Sequence, residues 1–150
     1  MPEVVLLIGV PGAGKSTFYE SRFAATHRLV SKDLLRNDRR PALRQVALLE
    51  QALDADESVV IDNTNASREE RAVLIGVARA RNAHVAAYFF VCSLGECVAR
   101  NADRLGRARV APVAIFATAK RLEAPSFAEG FDAVFLVRPL PEKCFEVESV

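Results

Sequence analysis

Glycine, lysine and serine residues are concentrated between positions 9 and 16, where the sequence reads GVPGAGKS. The spacing matches GxxxxGK[ST], a loop in which glycines allow backbone N–H groups to face phosphate oxygens. Lys15 is expected to reach the β- and γ-phosphates, and the Ser16 hydroxyl is expected to bind Mg²⁺. Since the sequence has no NKxD motif for guanine, we predict ATP and Mg²⁺ as cofactors. The predicted nucleotide contacts in this segment are Gly9, Pro11, Gly12, Ala13, Gly14, Lys15, Ser16 and Thr17.

Asp33 and Arg36 follow a short predicted strand at 28–31. In an open α/β sheet, ligands bind at the carboxyl ends of strands, so Asp33 is expected near the phosphates. Its carboxylate is predicted to accept the proton of an attacking hydroxyl. Arg36 lies three residues later on the same helical face and is predicted to bind an acceptor phosphate. The alternative for Asp33 is that it only caps a short helix.

Asp62 ends the apolar run at 59–61. A carboxylate at the end of a buried strand is typical of the position that holds Mg²⁺ directly or through water. We therefore predict Asp62 as a second metal ligand beside Ser16. The alternative is an ordinary turn at the end of a strand.

Four arginines follow the fourth predicted strand: Arg100, Arg104, Arg107 and Arg109. Arg100 and Arg104 have i, i+4 spacing and are expected to share one helical face. A basic cluster before Pro112 indicates a lid that closes over the triphosphate and stabilises the transferring charge. Arg100, Arg104 and Arg107 are therefore predicted nucleotide contacts, with Arg104 also catalytic. The alternative is a solvated basic turn.

The elements that must position these residues alternate between strand and helix. Predicted strands cover 4–8, 28–31, 58–62, 83–92 and 131–137, and predicted helices cover 15–25, 41–52, 67–80, 93–101 and 112–122. Strands separated by helices favour parallel pairing with right-handed crossovers. We predict a P-loop NTPase fold of the α/β class. It has a mostly parallel five-stranded sheet, helices on both faces and an arginine-bearing lid. The residues after Arg138 are expected to be an edge element or a frayed end.

Composition limits the kind of protein. Of the 150 residues, 51% are hydrophobic and 26% are charged, which predicts one globular domain over 1–150. No apolar run is long enough to cross a membrane and the first residues lack signal-peptide features, so a cytoplasmic location without membrane partners is expected. Cys92, Cys97 and Cys144 have no metal-ligand spacing and are expected to be reduced and mostly buried.

The net charge of +1 conceals an uneven distribution. The segment 28–44 holds six basic and two acidic residues, and 100–121 holds six basic and one acidic. The segment 123–150 instead holds six acidic and two basic residues. Because 16 of the 20 basic residues are arginine, bidentate phosphate contacts are favoured. Near-neutral charge therefore does not exclude a nucleic-acid substrate.

The segments GVPGAGKSTF, VVIDNTN and RLEAPSFAEGFDAVF, together with the Asp33 segment, resemble the kinase domain of the polynucleotide 5′-kinase/3′-phosphatase enzymes. The phage polynucleotide kinase is a more distant relative. The resemblance implies ATP-dependent phosphorylation of a 5′-hydroxyl end of DNA or RNA. On that resemblance Lys15 and Ser16 hold phosphate and Mg²⁺, and Asp33 is the general base. Arg36 matches an arginine at the acceptor phosphate, and Arg104 matches the lid arginine on the donor phosphates.

The leading hypothesis is therefore an ATP-dependent polynucleotide 5′-hydroxyl kinase, a single kinase domain whose partners are 5′-OH ends of DNA or RNA. One alternative is a small-molecule kinase on the same scaffold, acting on a nucleoside, sugar or antibiotic. Another is a nucleotide-sensing module without an acceptor. The sequence leaves open the choice of DNA or RNA and the oligomeric state.

Overall fold

The structure, a computed structural model, describes residues 1–35, 37–104 and 109–150, with the backbone alone described at Asp33 and Leu34. The strands are β1 (Glu3–Ile8), β2 (Arg28–Val30), β3 (Val59–Asp62), β4 (His84–Phe90), β5 (Ala133–Leu140) and β6 (Cys144–Ser149). The helices are α1 (Lys15–Arg22), α2 (Pro41–Asp54), α3 (Arg68–Ala80), α4 (Leu94–Ala102) and α5 (Pro112–Arg121). Short 3₁₀ helices cover Lys32–Leu35, Phe127–Glu129 and Pro141–Lys143.

The strands form one sheet in the order β2-β3-β1-β4-β5-β6. Among the described residues, strands β1 to β5 run parallel to one another, and β6 alone is antiparallel. Strand β1 is central and almost entirely buried, as its continuous apolar sequence predicts for a strand covered on both faces. The predicted α/β class and the mostly parallel sheet with helices on both faces are confirmed.

The predicted count of five strands is one too low, because Cys144–Ser149 forms a sixth strand at the edge, which is the first of the two alternatives for the residues after Arg138. It pairs with β5 in a hairpin, with Val137 opposite Val147. Its residues alternate between exposed and half-buried, so it lacks the continuous apolar run of a buried strand. Phe145 anchors the hairpin, since its ring packs edge-on against that of Phe18 with 5.1 Å between centroids.

Each face of the sheet packs against its own helices. Val4, Leu6 and Ile8 face a core shared with α2 and α3, whereas Val5 and Leu7 face a core shared with α1, α4 and α5. Two helix starts agree with the sequence, because Ser67 and Ser93 accept hydrogen bonds from backbone N–H groups three residues later. Within the described ranges, no helix is both long enough and apolar enough to cross a lipid bilayer.

The predicted reduced state is wrong for Cys92 and Cys97, whereas Cys144 is a free thiol as predicted. Cys92 and Cys97 are joined in a disulfide, because the turn between β4 and α4 brings their Cα atoms to 6.8 Å. Cys97 is buried as expected, but Cys144 is exposed on the edge strand.

Candidate active site

The phosphate-binding loop lies where the central strand β1 ends and α1 begins. Gly12 and Gly14 have φ values of 85° and 99°, a left-handed conformation that glycine adopts at little cost. A Cβ atom on Gly12 would collide with the carbonyl group of Cys97. The Gly9 N–H donates to Thr64 O at 3.1 Å, which ties the start of the loop to the segment after β3.

Lys15 occupies the centre of this loop. Its side chain is buried, and Nζ donates to Gly9 O at 2.7 Å and to Val10 O at 3.0 Å. Two carbonyl groups at the start of the loop therefore hold the Lys15 ammonium group beside the loop backbone. Ala13 is buried in the same loop and Pro11 is half-buried.

Ser16 and Asp62 meet although they are 46 residues apart in sequence. Ser16 Oγ donates to Asp62 Oδ2 at 3.0 Å, since α1 starts beside the carboxyl end of β3. A hydroxyl and a carboxylate at this spacing supply the hard oxygen ligands that Mg²⁺ prefers. These two side chains therefore fit the predicted metal position.

The candidate acceptor side begins at the end of β2. The 3₁₀ helix Lys32–Leu35 carries Asp33, whose backbone lies at the carboxyl edge of the sheet, while its side chain is outside the described part. Arg36 lies outside the described residues. The Lys32 N–H donates to Asn63 Oδ1 at 3.0 Å, which fastens the 3₁₀ helix to the segment after β3.

Asn63 also joins two other amide side chains, a connection that no sequence pattern indicated. It exchanges two hydrogen bonds with Gln45 of α2, at 3.0 and 3.1 Å. Its Nδ2 also donates to Asn65 Oδ1 at 3.2 Å. Asn65 in turn donates to Leu7 O of β1 at 2.7 Å. A chain of amides thus connects the acceptor side with the strand that leads into the phosphate-binding loop.

Arg71 contacts the segment that follows β3, and no sequence pattern indicated this role either. Its guanidinium is fully buried and binds both carboxylate oxygens of Glu129, at 2.8 and 3.1 Å. Nη1 also donates to the carbonyls of Asn65, Ala66 and Glu123. Two glutamates of the segment 121–135 therefore bind this arginine, Glu129 through its carboxylate and Glu123 through its backbone carbonyl.

A cavity of about 660 Å³ adjoins the loop at Gly14 and Thr17. Its other walls are formed by Glu96, Ala99 and Arg100 of α4 and by residues 139–145 of the β5–β6 hairpin. Arg100 Nη1 is buried and has no hydrogen-bond partner among the described residues. A buried guanidinium nitrogen without a partner favours an acceptor atom supplied by a ligand.

The remaining arginines of the predicted lid are placed differently from expectation. Helix α4 ends at Ala102, so Arg104 lies beyond it and the helical face expected for Arg100 and Arg104 is not formed. Arg107 lies outside the described residues, and Arg109 is exposed. The buried Asn101 amide holds the end of this segment, because it bonds both backbone groups of Val110, at 2.6 and 2.9 Å.

Comparison with known proteins gives a family and a curated relative. A family model described as an AAA domain matches residues 4–125. The chain is 28% identical over 148 residues to the bifunctional polynucleotide phosphatase/kinase of Schizosaccharomyces pombe. That alignment covers 96% of this chain and 35% of the yeast protein, so the chain spans about a third of this relative's length.

Solved structures share the fold at low sequence identity. A gluconokinase from Sinorhizobium meliloti 1021 is 22% identical with a TM-score of 0.66, covering 91% of this chain and 82% of its own. A fungal RNA kinase is 19% identical with a TM-score of 0.64, covering 94% and 76%. These similarities show a P-loop kinase fold, and the fold serves both sugar and nucleic-acid kinases.

Proposed function

The chain belongs to the AAA domain family of P-loop proteins, and we propose that it is an ATP-dependent polynucleotide 5′-hydroxyl kinase. It would transfer the γ-phosphoryl group of ATP to the 5′-OH end of DNA or RNA. The names of the S. pombe relative and of the fungal RNA kinase support this class of acceptor. The observation that carries the proposal is a group of exposed arginines at the start of α2 that form no ion pair with any described residue.

Arg39, Arg40 and Arg44 form this group, which we call the α2 arginines. All three are exposed, and none makes an ion pair with a residue that the structure describes. Seven other arginines do pair with carboxylates, namely Arg28, Arg68, Arg71, Arg79, Arg81, Arg121 and Arg138. Helix α2 packs against the 3₁₀ helix that carries Asp33, so this unneutralised charge lies on the acceptor side. Several spaced guanidinium groups suit a polyanion, because each can bind a phosphate.

The donor ATP is proposed to bind with its phosphates in the loop 9–17 and its nucleoside in the adjoining cavity. Lys15 supplies positive charge at the phosphates, and Arg100 supplies a nitrogen in the cavity wall that has no hydrogen-bond partner in the described part of the chain. Ser16 and Asp62 would hold Mg²⁺, which when bound neutralises phosphate charge.

The reaction is an in-line phosphoryl transfer. The 5′-hydroxyl oxygen bonds to the γ-phosphorus while the bond to the β–γ bridging oxygen breaks, and ADP leaves with that electron pair. Asp33 takes the hydroxyl proton, because the 3₁₀ helix brings it to the sheet edge that also carries Asp62. Arg36 is proposed to contact an acceptor phosphate, and Arg104 and Arg107 the donor phosphates.

Replacement of the proposed base tests the chemistry. We expect Asp33→Asn to lower kcat for phosphorylation of a 5′-OH oligonucleotide by about 100-fold or more, since general-base catalysis contributes about 10²–10⁴-fold. The matched control is Asp38→Asn, an exposed carboxylate five residues later, which should leave kcat unchanged. Equal losses in both variants would contradict the role of Asp33. Slow ATP hydrolysis that is insensitive to Asp33→Asn, without any phosphorylated product, would indicate a nucleotide sensor.

The α2 arginines test the acceptor class. Each phosphate contact to a single strand contributes about −0.7 to the slope of log affinity against log salt. Replacement of all three by alanine should therefore reduce the slope by about 2 and weaken oligonucleotide binding. A control with Arg28, Arg79 and Arg138 replaced has the same net charge and should retain the wild-type slope. Robust transfer to gluconate or another sugar, with none to oligonucleotides, would instead support the small-molecule kinase.

A further inference from the structure

The 3₁₀ helix Lys32–Leu35 is a single short turn that is joined to the segment after β3. It contains four residues, so it cannot be stabilised by its own backbone hydrogen bonds in the way a longer helix is. Its first residue, Lys32, donates its N–H to Asn63 Oδ1 at 3.0 Å. Asn63 follows β3 directly and is 31 residues away, so this bond joins the helix to a different strand.

Asn63 is itself held from two sides. Gln45, which is only 2% exposed on α2, both donates to Asn63 Oδ1 and accepts from Asn63 Nδ2. Asn65 accepts a further bond from Asn63 Nδ2. These bonds use both amide hydrogens of Asn63 and give its oxygen two donors, so the orientation of the side chain is fixed.

The connection continues to the donor side. Asn65 has a φ of 47°, and its Nδ2 donates to Leu7 O at 2.7 Å and to Ile61 O at 3.3 Å. Leu7 lies on β1, two residues before the phosphate-binding loop begins at Gly9. The chain of amide hydrogen bonds therefore connects the 3₁₀ helix to β1, the strand that leads into the proposed ATP-binding loop.

We propose that Asn63 is a positioning residue that sets the distance between the 3₁₀ helix and the phosphate-binding loop. Asn63 does not act on the substrate itself. Its effect passes through the Lys32 amide, and Gln45 supports it from α2. The inference rests on the proposed function, because the 3₁₀ helix matters to catalysis only if it carries the group that activates the acceptor.

The kinetic test compares Asn63→Ala with wild type in the full chain, using a 5′-OH oligonucleotide and ATP. A misplacement of roughly 1 Å in a reacting group costs about 100-fold, so we expect kcat to fall by about 10–100-fold. The Kd for ATP, measured by displacement of a fluorescent analogue, should stay within about twofold of wild type, because no ATP-binding group is removed. A parallel fall of kcat and ATP affinity would overturn the proposal.

Gln45→Ala provides a second variant in which Asn63 remains but loses one support. We expect a smaller fall in kcat than for Asn63→Ala, again with ATP affinity retained. The matched control is Gln51→Ala, an exposed glutamine on the same helix, which should behave as wild type. If Gln45→Ala and Gln51→Ala are indistinguishable, the amide chain does not position the helix.

Hydrogen–deuterium exchange distinguishes failure of this proposal from failure of the proposed function, since it requires no acceptor. In Asn63→Ala, peptides covering 31–35 should exchange at least about tenfold faster, whereas peptides covering 9–17 should be unchanged. Asn63→Asp keeps an acceptor for the Lys32 N–H, so its 31–35 peptides should stay closer to wild type. Unchanged exchange at 31–35 in Asn63→Ala would refute the positioning role. Wild-type protein without oligonucleotide kinase activity, but with the expected exchange, would refute only the proposed function.

Discussion

Removal of the buried Arg71 guanidinium should destabilise the whole carboxyl edge of the sheet. Arg71→Met keeps much of the side-chain length but leaves the Glu129 carboxylate, whose side chain is only 8% exposed, without its cation. The carbonyls of Asn65, Ala66 and Glu123 also lose the hydrogen bond from Arg71, and Ala66 O keeps the one from the Glu123 N–H. The consequence should therefore be far larger than for an arginine on the surface.

The expected magnitude follows from burial. Breaking a buried ion pair by removing one partner costs about 3–5 kcal/mol, because the remaining charge is left uncompensated. In a chain of 150 residues each kcal/mol lowers Tm by about 2–4 °C, so Arg71→Met should lower Tm by roughly 6–20 °C. The control, Arg79→Ala, removes an exposed pair with Asp132 and should cost about 1 kcal/mol or less.

Urea denaturation followed by circular dichroism measures these differences, provided that the m-value is unchanged. The double variant Arg71→Met/Glu129→Gln removes the stranded charge and should be more stable than Arg71→Met by at least about 1 kcal/mol. If Arg71→Met is as mild as Arg79→Ala, or if the double variant is no more stable than Arg71→Met, the buried Arg71–Glu129 pair does not stabilise this edge of the sheet.

Three further predictions concern the phosphate-binding loop, the arginine-bearing segment after α4 and the dependence of folding stability on pH below 7. Gly12→Ala should weaken ATP binding by about tenfold or more in a fluorescence titration, because its Cβ meets the Cys97 carbonyl at positive φ; Gly76→Ala, with open space around it, should not. Asn101→Ala releases Val110 and should raise KM for ATP several-fold while the KM for the oligonucleotide stays constant, and the opposite pattern would contradict the role of this clasp. The hydrogen bond from the Val85 N–H, and to a smaller extent Arg79, lowers the pKa of Asp132. The Asp132 carboxylate therefore stabilises the fold at pH values above its ordinary pKa, and this contribution is lost as the pH falls through the lowered pKa. Asp132→Asn should therefore be less stable than wild type at pH 7, with the difference shrinking below about pH 4 in urea titrations, and a constant difference would refute this assignment.

The parts predictable from sequence are those in which one contiguous segment determines the structure. The loop at 9–17 was identifiable because its glycines, lysine and serine are adjacent and lie between a buried strand and a helix. Asp62 was identifiable because it ends an apolar run. Their meeting at 3.0 Å follows from the pairing of β1 with β3; the alternation of strands and helices predicted parallel strands but not which strands are neighbours.

The parts missed depend on contacts between distant segments or on weak local signals. Gln45 and Asn63 are 18 residues apart, and as single amides they have no pattern that separates a buried network from a polar surface. Arg71 lies on a helix with charged neighbours and resembles a solvated arginine in sequence, although it is completely buried. Strand β6 was left undecided because its alternating exposure is typical of an edge.

The most direct test of the proposed 5′-hydroxyl kinase activity is an acceptor panel with labelled ATP and Mg²⁺. It contains DNA and RNA oligonucleotides with a 5′-hydroxyl, the same oligonucleotides with a 5′-phosphate, and gluconate. We expect label on the 5′-hydroxyl oligonucleotides alone, with transfer lost in Asp33→Asn and retained in Asp38→Asn. Label on gluconate with none on any oligonucleotide would contradict it.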